Sequence, residues 1–313
     1  MRPRVVPAGR PRRFGGKVAG VRAQPALHGI ALVVHPTRPI DGALATLRRW
    51  TQEHGLEFTQ LATDGDSHRE VAEPGTVGAY DLVVALGGDG TVLAAMRAAA
   101  HTNTPVLGVA CGSLGALSTV SADELVEGLD RFVAGDWTPR VLPALGIAGS
   151  DGAGGWAIND FVVSRRGSGQ VAAEVTVDDE LYVRLAGDGV IVATPVGSSA
   201  YSMAAGGPIL ATGTPAFVCT PLAMHGGSAP PVVVPADATV TIDVHPGFAG
   251  FDVEVDGRRR AVDAHRFRLT LHESKVTLVT FDTRGPGLTG QAILRPAARS
   301  ASSWATSTEA PAR

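Results

Sequence analysis

Leu82-Val83-Val84-Ala85-Leu86-Gly87-Gly88-Asp89-Gly90-Thr91 is the stretch whose reading decides the fold. Five consecutive apolar residues predict a strand buried on both faces. An Ala-rich helical pattern runs on from Thr91 to His101. Between them lies a turn made almost only of glycine around one carboxylate. In an open α/β sheet a strand-to-helix turn of this kind is where ligands bind, outside the carboxyl ends of the strands. Glycines let backbone amides come close to an anion, and the helix start adds partial positive charge. No Lys-Ser or Lys-Thr pair follows, so the turn is not a P-loop. Two readings of Asp89 stay open at this level. It caps the helix, with Asp89 or Thr91 bonding the free amides, or it holds Mg²⁺ or takes a proton from a substrate hydroxyl.

The same alternation extends on both sides. Ile30 to His35 reads as a buried strand ended by Pro36, and Asp41 to His54 as a helix with Leu44, Leu47 and Trp50 on one face. Val106 to Val109 is a third strand and Asp123 to Val133 another helix. Strands alternating with helices predict a parallel sheet covered by helices. Near Trp137 the pattern changes. Helix signals become scarce, and short strands punctuated by Gly, Pro and Asp-Asp follow: 161–163, 172–177, 181–185, 190–193, 232–234, 240–244, 252–255, 267–271 and 276–281. The expected architecture is an α/β domain over 27–136 and a β-rich, sandwich-like domain over 137–285. Residues 1–26 form a basic tail, with Arg2, Arg4, Arg10, Arg12, Arg13, Lys17 and Arg22 and no acid before Asp41. That tail and the Ala, Ser, Thr and Pro-rich segment 286–313 read as disordered.

Composition narrows the class. A hydrophobic content of 44% allows a sizeable core, and a net charge of -3 gives no global basic field for nucleic acid or an anionic membrane. The two cysteines, Cys111 and Cys219, supply neither a disulfide framework nor a zinc-ligand spacing, so a reducing cytoplasm is the expected compartment. No apolar run reaches the roughly 18–20 residues of a membrane helix. No Gly-x-Ser-x-Gly or Cys–His arrangement argues for acyl transfer.

A second constellation lies in the β-rich half. The strand 190–193 runs into Thr194-Pro195-Val196-Gly197-Ser198-Ser199-Ala200-Tyr201-Ser202, and Gly206-Gly207-Pro208 closes the helical turn that follows. Pro195 keeps Thr194 extended and ends the strand. The segment offers small hydroxyls, free amides and one ring, Tyr201, for a planar base. Asn159-Asp160 sets an amide beside a carboxylate before the strand 161–163, and Gly187-Asp188-Gly189 precedes strand 190–193. Asp256-Gly257 reads, alone, as a plain hairpin turn. Taken with the other pieces, Asp256 is placed among the nucleotide-site candidates. His225, in a glycine-rich loop, reads as structural or exposed.

These elements, in this order from about Ile30 to Gly257, resemble the NAD kinase family. The glycine turn alone is shared with lipid kinases and 6-phosphofructokinases; the Thr-Pro-x-Gly-Ser-x-Ala-Tyr-Ser segment is far more specific. The resemblance implies that Asp89 accepts the proton of the adenosine ribose 2′-hydroxyl of NAD. It places Gly88 and Gly90 against the nucleotide, Asn159 and Asp160 on ribose and adenine, and Ser199, Ala200 and Tyr201 in the adenine and ribose pocket. Asp188 acts near the nicotinamide end or across a subunit contact. It further implies ATP or polyphosphate as donor, Mg²⁺ or another divalent cation on the donor phosphates with no protein metal ligands assigned, and a homodimer or homotetramer. Nucleic acid and membrane are not expected partners. Departures fall on the donor side. Ala94 stands where a basic residue is frequent, Val196 where a hydroxyl is, and Pro230 where an arginine is. The Asn-x-Gly-x-Leu-Gly-Phe segment of the family is here 110–116, with an amide and an aromatic lost. These departures motivate one rival reading, a dinucleotide-binding paralogue without catalysis. A lipid kinase is a lesser rival, because its Gly-Thr-Gly-Asn-Asp element is missing.

Overall fold

The computed structural model describes residues 27–62, 69–76, 78, 80–225, 227–245 and 250–281. The tail 1–26 and the segment 286–313 lie outside them.

The N-terminal half has the strands β1 (Gly29–Val34), β2 (Glu57–Leu61), β3 (Pro74–Gly75), β4 (Leu82–Gly87), β5 (Val106–Ala110) and β6 (Val120–Ser121), with helices α1 (Asp41–Glu53), α2 (Asp89–Ala99) and α3 (Leu125–Val133). All their strand pairings are parallel. β1 and β4 are buried at every residue, as expected of strands covered on both faces. α1 and α3 pack on one face of the sheet through Leu44, Leu47, Trp50, Leu125, Leu129 and Phe132. α2 packs on the other through Val92, Ala95, Met96 and Ala99. The Trp50 indole donates to the Asp130 carboxylate at 2.7 Å, so the buried ring's polar edge is satisfied.

The C-terminal half carries β7 (Thr138–Gly149), β8 (Gly154–Ala157), β9 (Asp160–Arg165), β10 (Val171–Val177), β11 (Glu180–Gly187), β12 (Gly189–Ala193), β13 (Ala216–Leu222), β14 (Val232–Pro235), β15 (Thr239–His245), β16 (Phe251–Val255), β17 (Arg258–Arg260) and β18 (Arg266–Thr280). A 3₁₀ turn (Gly197–Ser199) and the four-residue α4 (Tyr201–Ala204) interrupt them. The pairings among these strands are antiparallel, which makes this half the β-rich domain of an α/β plus β-rich architecture. Six strands, in the order β14-β13-β12-β9-β16-β17, form one sheet. It packs against β10, β11, β15, β7 and β18 over a core that includes Phe161, Val190, Val192, Phe217, Val240, Ile242, Phe267 and Leu269. That is a sandwich filled from two inner faces.

The two halves are not separate sheets. β18 pairs with β7 and β15 and also runs parallel to β5 at Leu278–Val106, joining both halves into one 12-stranded sheet. No helix among the described residues is long and apolar enough to cross a membrane.

Local readings differed from the structure in instructive places. α2 starts at Asp89, two residues before the expected Thr91, because Gly88 takes the N-cap position with extended backbone. β7 and β13 did not stand out as strands. Each carries prolines inside or beside it (Pro139, Pro143, Pro215, Pro221), which mask a strand pattern.

Candidate active site

In the parallel half the chain moves from β1 outward to β2, then returns to the other side of β1 with β4. The order therefore reverses between β1 and β4, and the crevice beyond their carboxyl ends is the ligand position of such sheets. Two loops meet there: His35 to Arg38 after β1, and Gly87 to Asp89 after β4. Arg38 lies over the glycine turn. Its Nη1 is 3.0 Å from where a Cβ on Gly88 would stand and 3.5 Å from the same point on Gly112. The guanidinium makes no hydrogen bond or ion pair to a described residue, and it lies beside the glycine turn. His35 accepts the amides of Thr37 and Arg38 at Nδ1, 3.2 and 3.0 Å away. Burial, and then the charges of Arg38 and Arg258, lower its pKa and keep it neutral.

Asp89 does not cap its own helix: α2 has no side-chain cap. Its carboxylate turns across to the loop after β5 and accepts the amides of Ala116 (2.9 Å) and Leu117 (3.1 Å), one on each oxygen. Gly115 makes this possible, since a Cβ there would sit 2.0 Å from Oδ1. The carboxylate is thus fixed in orientation and partly exposed, with acceptor capacity left for a hydroxyl. Gly88 is partly exposed and Gly90 exposed beside it.

The β-rich half carries the remaining candidate residues. Asn159 is half-buried, and its side-chain amide makes no hydrogen bond to a described residue. Asp160 is only 4% exposed. Burial first, and then Asp256 and Glu254, raise its pKa to about 7, against a hydrogen bond from the Tyr201 amide. That bond ties the Asn159-Asp160 loop to the Ser199-Ala200-Tyr201 turn. Thr194 ties them again: its amide donates to the Asn159 carbonyl (2.9 Å), its hydroxyl to the Ile158 carbonyl (2.6 Å), and it accepts the Gly197 amide (3.0 Å). Gly197 is pressed against the same loop, where a Cβ would come within 1.9 Å of the Asn159 oxygen. Ser198 is buried and structural, donating to Pro195 and accepting the Leu210 amide. Ser199 donates to the Val196 carbonyl at 3.0 Å, and Tyr201 is 45% exposed, its ring available.

Asp256 takes a different place from a ligand contact at the surface. It occupies the hairpin turn between β16 and β17 with φ +49, followed by Gly257 at φ +72. Its side chain is fully buried. Oδ1 accepts the amides of Ile158 (3.0 Å), Asn159 (2.6 Å) and Asp160 (3.1 Å), and Oδ2 accepts Nη1 of Arg97 (2.8 Å). Arg97 is 6% exposed and comes from α2, the helix that begins at Asp89. This ion pair therefore holds the Asn159-Asp160 loop at a set position relative to the helix of Asp89. Sequence reading passed over Arg97; the available signal was a single charge within the apolar run Val92 to Ala100. Asp188 stands apart. It pairs with Arg165 at 2.5 Å at the far end of β12, where Gly189 faces Ser164, whereas Asp160 faces Ala193. Four strand steps separate the two ends, about 13 Å.

The departures also have places. Val196 packs against the apolar cluster under α2, and Ala94 is buried in that cluster. The Pro230 carbonyl accepts the Tyr182 hydroxyl. Among the described residues no three His, Cys, Asp or Glu side chains gather as a metal site.

Residues 43–137 match the ATP-NAD kinase N-terminal domain and residues 158–281 the ATP-NAD kinase C-terminal domain. The chain is 34% identical over 240 residues to the NAD kinase of Koribacter versatilis, covering 73% of this chain and 84% of that protein. It is 35% identical over 238 residues to the NAD kinase of Chloroflexus aurantiacus, covering 74% and 84%. Its fold is shared with yeast NADH kinase complexed with NADH, at a TM-score of 0.72, 20% identity and 88% and 89% coverage. An Archaeoglobus fulgidus NAD kinase in complex with ATP matches at a TM-score of 0.61, 22% identity and 81% and 93% coverage. With both domains in order and relatives matched over most of their length, the chain belongs to the NAD kinase family, phosphotransferases that act on NAD.

Proposed function

We propose that the chain transfers a phosphoryl group from ATP, or another phosphoryl donor, to the adenosine ribose 2′-hydroxyl of NAD or NADH. The observation that carries the reading is the Asp89 carboxylate, held by two amides at the sheet's reversal point, on a helix that Arg97 and Asp256 tie to the Asn159-Asp160 loop. Asp89 orients the 2′-hydroxyl and accepts its proton late in the transfer. Asn159 and Asp160 bind the adenosine half through ribose and base, and Ser199, Ala200 and Tyr201 bound its pocket. Asp188 meets the nicotinamide end or a neighbouring copy. Asp256 acts behind the loop as a positioning residue.

Phosphoryl transfer asks the protein mainly for alignment and charge neutralisation. Arg38 fits the second task. Its open guanidinium, the Gly88 amide region and the start of α2 would receive the donor phosphates. It compensates for the basic residue absent at position 94. The divalent cation, Mg²⁺ in the simplest case, comes with the donor phosphates and neutralises their charge. A homodimer or homotetramer in the cytoplasm is the proposed working form, in keeping with two unpaired cysteines.

The test is direct. Purified protein is incubated with Mg²⁺, ATP or polyphosphate, and NAD or NADH, and NADP(H) is assayed. Product at catalytic turnover supports the reading. NAD binding without product from any donor would instead identify a silent dinucleotide-binding paralogue.

A further inference from the structure

His35 follows β1 directly, and its own loop holds its ring in one protonation state. Its amide donates to the Leu86 carbonyl at 2.9 Å, which carries the β1–β4 pairing one residue further. The amides of Thr37 and Arg38 both donate to Nδ1, at 3.2 and 3.0 Å. A backbone amide only donates, so Nδ1 bears no proton, and the proton of the neutral ring is on Nε2. A second proton would have to enter at Nδ1, against the two N–H groups already there. It would also add a charge beside Arg38 and Arg258, the latter being the first residue of β17. Neutrality thus follows from geometry as well as from the surrounding charge.

The ring's place gives that state a use. Cβ of His35 lies 3.1 Å from where a Cβ on Gly87 would stand, and Nη1 of Arg38 lies 3.0 Å from the same point on Gly88. The two side chains therefore lie against consecutive glycines of the turn that leads into Asp89 and α2. His35 is partly exposed. Its Nε2 has no partner among the described residues, and it is not one of the buried side-chain atoms left without one. The ring thus offers one fixed, uncharged N–H donor and no free acceptor. It cannot take the proton of a hydroxyl, which leaves that task to Asp89. A donor-only group beside a guanidinium suits the oxygens of a phosphate chain, which accept.

We propose that His35 binds the phosphoryl donor, with Nε2–H donating to a non-bridging oxygen of its phosphate chain next to the charge of Arg38. The inference rests on the NAD kinase reading of this crevice and deepens it, by adding a neutral residue to the donor side.

The experiment separates the two nitrogens of the ring in the full-length protein. In His35→Asn the side-chain carbonyl replaces Nδ1 as acceptor of the two amides, while Nε2–H is lost. In His35→Gln an amide N–H reaches towards the place of Nε2, while the Nδ1 acceptor is lost. Magnesium tripolyphosphate and ATP are the probes. Long-range ¹⁵N–¹H spectra of the imidazoles, read through the ring carbon protons, should show His35 as the Nε2–H tautomer. Its Nε2 resonance, assigned by its loss in either variant, should move saturably with both probes. His35→Asn should keep the wild-type melting temperature and bind ATP and tripolyphosphate about tenfold more weakly, the value of one charge-assisted hydrogen bond. Its KM for NAD should be unchanged. His35→Gln should melt lower and yet bind ATP more tightly than His35→Asn. A side chain that only shapes the loop would give the reverse order. Wild-type ATP affinity in folded His35→Asn overturns the proposal. So does an Nε2 resonance that ignores saturating ATP and tripolyphosphate, a result that needs no folded variant. NADP formation with that resonance unmoved would remove His35 from the donor side and leave the kinase reading standing. A saturable shift in a protein that makes no NADP from any donor would keep the phosphate contact and remove the enzymatic reading instead.

Discussion

Asp89 and Asp160 are the same side chain in two opposite environments, and the contrast explains how the site divides its labour. Asp89 sits at the mouth of the α/β half, partly exposed, its charge met by two backbone amides. Asp160 sits in the β-rich half, nearly closed off, with the carboxylates of Asp256 and Glu254 nearby and its pKa raised to about 7. The first environment holds a carboxylate in a fixed orientation, partly exposed, where it can face a hydroxyl. The second holds a carboxyl near its protonation point, where it can donate a hydrogen bond as well as accept one. Between them runs the Arg97–Asp256 pair, which spans 159 residues of sequence and joins one half to the other.

Substitutions can break or sharpen this contrast. The largest effect is expected at Asp89. Asp89→Asn keeps the shape but not the basicity, and should lower turnover about a thousandfold while NAD affinity, read by calorimetry, stays within a few-fold. Unchanged turnover would end the assignment of Asp89 as the proton acceptor. Next comes the connection between the halves. Asp256→Ala removes the acceptor of three loop amides and strands Arg97 as a buried cation. A loss of about 3–5 kcal/mol in urea unfolding is expected, with a raised KM for NAD in the fraction that folds. A surface-like effect below 1 kcal/mol would show that the pair holds nothing in place. Arg38→Gln should raise the KM for ATP about tenfold, the value of one or two charged hydrogen bonds, with the KM for NAD unchanged. An equal rise in both constants would place Arg38 outside the donor side.

The smallest effect is a pH dependence. The folded protein holds the Asp160 pKa at about 7, against an ordinary 3.8 in the unfolded chain. The unfolded state therefore releases this proton first, and stability from this group falls as pH rises from about 4 to about 7, then levels off. Asp160→Asn lacks that loss. In thermal melts it should gain on the wild-type protein by a few degrees at pH 8 and lose the advantage towards pH 5. A constant difference across that range would mean that Asp160 does not titrate near neutrality.

Much of this was legible residue by residue. The strand–turn–helix around Gly87 to Thr91, the alternation before it and the strand-rich run after Trp137 are local patterns, set by side-chain spacing and turn chemistry. The Asn159-Asp160 and Ser199-Ala200-Tyr201 pieces were visible as residue types without a partner. Asp256 was visible as a turn residue, since Asp-Gly favours the left-handed backbone that a two-residue hairpin needs. Its buried carboxylate was not, because nothing near it in sequence announces Arg97. Arg38 was missed for the same reason, as its meeting with Gly88 depends on β1 lying next to β4.

By itself, then, the sequence determined the element types, the glycine turns and the chemical groups available, because propensity and periodicity act over a few residues. Only the tertiary structure decided that β18 would pair with β5 and close two halves into one sheet. It alone turned Asp89 onto the amides of Ala116 and Leu117 rather than its own helix. It buried Asp160 beside Asp256 and brought Arg97 to hold the loop between them. Burial, dielectric and charge pairing are properties of surroundings, and those surroundings come from chain segments far apart in the sequence.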